Sequence, residues 1–128
     1  MSTGGSQTRI LVVDDHALVR DGIAGLVGVQ PDMVMVGEAS NGREAIQQFR
    51  MLHPDVTLMD LQMPNMNGIE AIIAIRAEFP DAKIIVLTTY KGDVQITRAL
   101  EAGAQGYLLK STLHKELTKT IRATHSGK

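Results

Sequence analysis

Cysteine and tryptophan are missing from this 128-residue chain, and only two tyrosines and two phenylalanines occur. The lack of cysteine excludes disulfides and thiolate metal sites and suits a reducing, cytoplasmic setting. Four aromatics are too few for a base-stacking surface. No apolar stretch approaches the roughly 18 residues of a membrane helix. Net charge is only −1, so the chain as a whole has no strong attraction for nucleic acid or an anionic membrane. Met1–Thr8 is rich in Gly, Ser and Thr and carries no apolar segment. It reads as a short flexible tail rather than a signal peptide.

Five short apolar segments are present: Arg9–Val13, Val34–Ala39, Val56–Met59, Ile84–Leu87 and Gly106–Leu109. Near-continuous apolarity suits strands buried on both faces of a parallel sheet. Helical spacing fills the gaps over His16–Val29, Arg43–Leu52, Gly68–Phe79, Asp93–Ala102 and Thr112–Thr124. Asn67 is a candidate N-cap, Gly103 a candidate helix stop, and His53-Pro54 and Pro80 are breakers. Strict alternation predicts an α/β three-layer (βα)5 sandwich. One domain over residues 9–124 follows, with 125–128 as the start of a linker or tail. The alternation alone leaves the strand order open.

Four of the apolar runs end on reactive polar residues: Asp14 and Asp15, Asp60, Thr88, and Lys110. Open α/β sheets bind ligands at the carboxyl ends of their strands. Asp14 and Asp15 alone read as N-caps of the next helix. Asp60 is different, because Leu61–Asn67 separates it from the following helix. Two carboxylates ~5 Å apart repel by about 3 kcal/mol at an effective dielectric near 20. A magnesium ion removes that conflict and bridges carboxylates to phosphate. Lys110 reads either as a surface lysine or as a point charge for a phosphoryl oxygen. Thr88 reads as a strand-ending β-former or as a hydroxyl donor. Tyr107 reads first as a core aromatic with its hydroxyl at the surface.

The runs Ile10-Leu11-Val12-Val13-Asp14-Asp15-His16, Asp60-Leu61-Gln62-Met63-Pro64-Asn65-Met66-Asn67-Gly68, Val86-Leu87-Thr88-Thr89 and Gly103-Ala104-Gln105-Gly106-Tyr107-Leu108-Leu109-Lys110 occur in this order. Together they resemble the receiver domain of two-component response regulators over about Arg9–Arg122. The first and last runs resemble the subfamily whose receivers precede a LuxR-type helix-turn-helix output domain. The resemblance implies a flavodoxin-like fold with strand order 2-1-3-4-5. It implies that Asp60 takes a phosphoryl group from a sensor histidine kinase and becomes an aspartyl phosphate. Asp15, Asp60 and the carbonyl of Gln62 would bind magnesium, with Asp14 acting mainly through water. Lys110 would pair with the phosphoryl group, Thr88 would turn toward it, and Tyr107 would move inward behind it. The chain is then a phosphoacceptor signalling domain rather than an enzyme, and nucleic acid would be reached only through an output domain not in this chain. A stand-alone receiver is the alternative.

Two rivals fit less well. An aspartyl phosphatase would want a second acid two residues after its nucleophile, where Gln62 stands. A flavin module would want a phosphate cradle after the first strand, where Asp14 and Asp15 repel phosphate. Three smaller expectations remain. The resemblance implies that Tyr90 borders the path of hydrolytic water, where its bulk would slow phosphoryl loss. Leu18, Gly22, Gly25 and Val29 share a helix face that could join the fifth helix in a homodimer. His16, His53, His114 and His125 lack ligand spacing and read as surface residues, and Met59, Met63 and Met66 as packing filler. The pattern does not fix whether the Lys110–Ser111 bond is cis.

Overall fold

The computed structural model describes residues 7–127. Of the expected N-terminal tail, residues 1–6 lie outside it. Strand and helix alternate throughout: β1 (Thr8–Val13), α1 (Ala17–Gly28), β2 (Met33–Ala39), α2 (Gly42–Leu52), β3 (Val56–Asp60), α3 (Gly68–Glu78), β4 (Ile84–Thr88), α4 (Val94–Ala102), β5 (Gly106–Leu109) and α5 (Leu113–His125). A 3₁₀ turn over Lys110–Thr112 joins β5 to α5. The strands form one parallel sheet in the order β2-β1-β3-β4-β5, as the resemblance implies.

Period-two alternation divides the core between the two faces of the sheet. Leu11, Val13, Met59, Ile84 and Val86 pack against Phe49, Ile72 and Ile75 of α2 and α3. Ile10, Val12, Leu58, Ile85 and Leu87 pack against Ile23 and Val27 of α1 and Leu117 and Ile121 of α5. Each fully buried aliphatic side chain contributes about 1.5–3 kcal/mol. Met59 is fully buried, and Met63 and Met66 pack against the first cluster, as packing filler should.

The strands run slightly further than the apolar pattern predicts. Asp60 still pairs with Leu87, and Thr88 with Leu109, so these polar residues are the last rungs of the sheet. Thr8 joins β1 because it pairs with Met33. Helix ends follow local chemistry. Asn67 and Glu70 form a reciprocal capping box at α3, Gly103 closes α4 at φ 120°, and His53 ends α2 at φ 46° before Pro54. Lys110–Ser111 is trans, as are all the described peptide bonds.

The far end of α5 is tied to the opposite edge of the sheet. Arg122 Nε donates to Asp32 Oδ2 at 2.9 Å, and its Nη2 donates to Gln30 Oε1 at 2.7 Å. Lys83 Nζ donates to the His125 carbonyl at 2.8 Å.

Two glycines give opposite expectations. Gly68 opens α3 with its backbone against Asp60, and a Cβ there would run into the Asp60 carbonyl oxygen and Leu61 Cα. Gly68→Ala should cost about 1–3 kcal/mol, the range for overpacking. Gly22, inside α1, has open space where a Cβ would stand. Gly22→Ala should add up to about 1 kcal/mol. Urea unfolding of both variants checks the pair.

Candidate functional site

Sheet register assembles the site one rung at a time. Val13 pairs with Met59, so Asp14 leaves β1 beside Asp60 at the end of β3. Asp60 pairs with Leu87, so Thr88 follows on β4. Thr88 pairs with Leu109, so Lys110 follows on β5. Chain order reverses between β1 and β3, where open α/β sheets form their crevice. A cleft of about 320 Å³ opens there, lined by Asp15, His16, Asp60, Gln62, Thr88, Tyr90, Asp93 and Lys110, among others.

Asp14 is fully buried, while Asp60 and Thr88 are each 4% exposed. Lys110 Nζ reaches Asp14 Oδ2 at 2.9 Å and Asp60 Oδ1 at 3.2 Å. The first contact is an ion pair without an aligned hydrogen bond. Asp60 Oδ1 also accepts a long hydrogen bond from the Gln62 backbone N–H at 3.4 Å. Asp60 Oδ2 is buried and has no hydrogen-bond partner. A buried carboxylate oxygen left in that state costs free energy unless a cation or donor meets it. Asp14, Asp15, His16 and Asp60 each present one ligand atom, all within 4.8 Å of one another. This oxygen-rich set fits a hard divalent cation.

Burial, and behind it the neighbouring Asp14 charge, push the Asp60 carboxyl up to about 6, against the opposing pull of Lys110. Burial alone would lower the Lys110 ammonium, but the carboxylates of Asp14 and Asp60 outweigh it and hold its pKa above the usual lysine value.

Two readings suggested by residues taken singly do not hold. Asp14 and Asp15 do not cap α1: His16 holds the N-cap position, and Asp14 Oδ1 instead accepts the His16 backbone N–H at 2.9 Å. Tyr107 is not a core aromatic. It is 37% exposed because β5 is an edge strand with fewer neighbours to cover it. His16 is at the surface, as expected, but its Nδ1 stands 3.2 Å from both Asp14 Oδ1 and Asp15 Oδ1. Ligand spacing could not reveal it, because its neighbours are adjacent in sequence and converge by a turn. His53, His114 and His125 are exposed on other elements.

Two contributors were not anticipated. Arg20 Nη1 donates to the Asp14 carbonyl at 2.6 Å, and its Nε donates to Glu38 Oε1 at 2.6 Å, so α1 pins the turn that carries the acids. Asp93 lines the cleft while its side chain caps α4 through the Gln95 N–H.

Comparison with known proteins agrees with this fold. Residues 10–122 match the family described as response regulator receiver domain. The response regulator VraR of Staphylococcus aureus is 41% identical over 119 residues, which cover 93% of this chain and 57% of VraR. The chain thus spans a little over half the length of that relative. A LuxR-family two-component response regulator from Aurantimonas superimposes with a TM-score of 0.90 at 39% identity, covering 96% of this chain and 88% of that one. The signal receiver domain of the response regulator NarL from Mycobacterium tuberculosis gives 0.91 at 29% identity, covering 97% and 100%.

The Asp60 environment sets a pH expectation. A carboxyl harder to ionise in the folded state binds its proton more tightly when folded. Its ionisation therefore destabilises the fold, negligibly below about pH 4 and fully above about pH 6. The rise from 3.8 to about 6 corresponds to at most about 3 kcal/mol. Solvent at the cleft mouth reduces this to about 1–2 kcal/mol. Asp60→Asn should therefore stabilise the metal-free domain by about 1–2 kcal/mol near pH 7.5 and by almost nothing near pH 4. Urea unfolding at the two pH values measures the difference.

Proposed function

This chain belongs to the response regulator receiver domain family, and from that membership we propose that it accepts a phosphoryl group from a kinase phosphohistidine onto Asp60. The supporting observation is the buried Asp60 carboxylate, whose Oδ2 has no partner and which shares a cleft with Lys110 and Thr88. In the transfer an Asp60 oxygen attacks phosphorus in line. The phosphorus–nitrogen bond breaks, and the leaving imidazole keeps the electron pair.

Phosphoryl transfer needs positioning and charge stabilisation more than covalent help. A magnesium ion held by Asp15, Asp60 and the Gln62 carbonyl, with Asp14 acting through water, would neutralise charge on the phosphoryl oxygens. Lys110 exchanges part of its ion pair with Asp60 for a phosphoryl oxygen. Thr88, at the end of β4, donates its hydroxyl to another.

The aspartyl phosphate adds about two negative charges at one point. Such a local change needs a bistable element to reach a distant surface. Thr88 and Tyr107 form that element in this reading. Thr88 turns toward the phosphate and the exposed Tyr107 ring moves inward behind it. The surface of α4, β5 and α5 changes as a result, where Val94 is 70% and Leu100 43% exposed. The product is an altered docking surface, in keeping with signalling rather than turnover. Transcription control through a DNA-binding domain of a longer protein is the output we favour, because this chain matches only 57% of VraR. No described helix is long and apolar enough to cross a membrane, and a cytoplasmic setting completes the reading. A second copy on the α1–α5 side is part of it, since Leu18 and Val29 are 85% and 76% exposed there.

Incubation with a phosphorylated histidine kinase tests the proposal. Labelling should require magnesium, fall to background with chelator, and be lost in Asp60→Asn. Undiminished labelling of the variant would move the nucleophile elsewhere. The same assay tests Tyr90, which is 70% exposed at the cleft rim. Tyr90→Ala should shorten the phosphoryl lifetime severalfold, and an unchanged lifetime would remove its role.

A further inference from the structure

We propose that His16 is a metal ligand of the cleft, one that favours nitrogen-accepting first-row transition ions such as manganese or cobalt over magnesium. The inference rests on the phosphoacceptor reading, because it places the ion among the same carboxylates. It adds a fourth side chain and a different ligand chemistry.

The geometry carries it. His16 Nδ1 lies 3.2 Å from one oxygen each of Asp14 and Asp15. Asp14, Asp15, His16 and Asp60 each offer one ligand atom, and these fall within a span of 4.8 Å. Opposite ligands of an octahedral ion with bonds near 2.1 Å stand about 4.2 Å apart. Closing that gap takes about 0.6 Å at the widest pair. Asp15 and His16 can supply it, because their side chains are 29% and 67% exposed and the imidazole Nδ1 is held only by the acids themselves. The helix makes no claim on the imidazole: His16 is the N-cap of α1, yet its side chain forms no capping hydrogen bond.

A second observation points to an ion rather than to a mere counter-charge. Asp60 Oδ2 is buried in the same cleft without a partner. An ion bound between the imidazole and the three carboxylates would meet it. Magnesium takes oxygen ligands and keeps its waters, so it gains nothing from His16. Manganese and cobalt accept imidazole, and affinity rises from manganese to cobalt when nitrogen is offered. His16 therefore acts as a specificity-determining residue.

The test compares the wild-type domain with His16→Gln at one fixed neutral pH. Pulsed electron paramagnetic resonance of bound manganese reads directly bound nitrogen, and calorimetry reads cobalt and magnesium affinity. The wild type should show an imidazole nitrogen coupling that disappears in His16→Gln. Cobalt affinity should fall by about tenfold or more, with magnesium changed less than about twofold. Manganese bound without nitrogen coupling in the wild type would overturn the proposal. So would coupling that survives in His16→Gln, or equal weakening of cobalt and magnesium. Normal magnesium binding in those cases would leave the phosphoacceptor reading intact. A wild-type protein that binds neither magnesium nor manganese would sink both.

Discussion

Two acids held at the buried end of a sheet, with one ammonium between them, set the terms for the rest of the molecule. Asp14 and Asp60 are withdrawn from solvent, and Lys110 touches both. Without that ammonium the pair would repel at close range in a medium less forgiving than water. With it, one oxygen of Asp60 is still unmet. The site is thus stable enough to fold yet left electrostatically incomplete. That incompleteness gives an incoming cation or phosphoryl group something to gain.

The frame around this cluster separates fixed parts from adjustable ones. Asp14, Asp60 and Thr88 sit on or directly after strands whose other residues are almost wholly buried. Arg20 fastens the Asp14 carbonyl, and the Gly68 N–H fastens the Leu61 carbonyl, so the loops beside both acids are anchored by backbone contacts. Asp15, His16, Gln62, Thr89 and Tyr90 instead project from exposed loops. In the proposed reading, the groups that would meet phosphorus are held by sheet register. Those proposed to choose the ion or admit water lie where substitution costs the fold little.

The architecture was legible because apolar period and helix punctuation agreed. The sheet needed only short β-rich runs, and Asn67, Gly103 and Pro80 marked helix ends by local chemistry. Asp60 stood out because no helix followed closely enough for it to cap. Strand order was not readable from alternation and came from the resemblance. His16 was read as an ordinary surface residue because proximity to Asp15 in sequence says nothing of which way two side chains turn. Tyr107 was misread because burial on an edge strand depends on how far the neighbouring helix layer extends, which no single segment encodes. Arg20 gave no signal either. Its partners are the Asp14 carbonyl, just past β1, and Glu38 on β2, and a backbone acceptor leaves no mark in a side-chain pattern.

The anchoring of α5 has a mechanical corollary. Its far end is moored to Asp32 and Gln30 through Arg122, and Lys83 holds the carbonyl of His125. Its near end is reached from Lys110 through one short turn. A rod pinned at one extremity answers a push at the other by pivoting, not by sliding. Displacement of the Lys110 backbone would thus become an angular swing of the helix, largest beside β5 and vanishing toward the mooring.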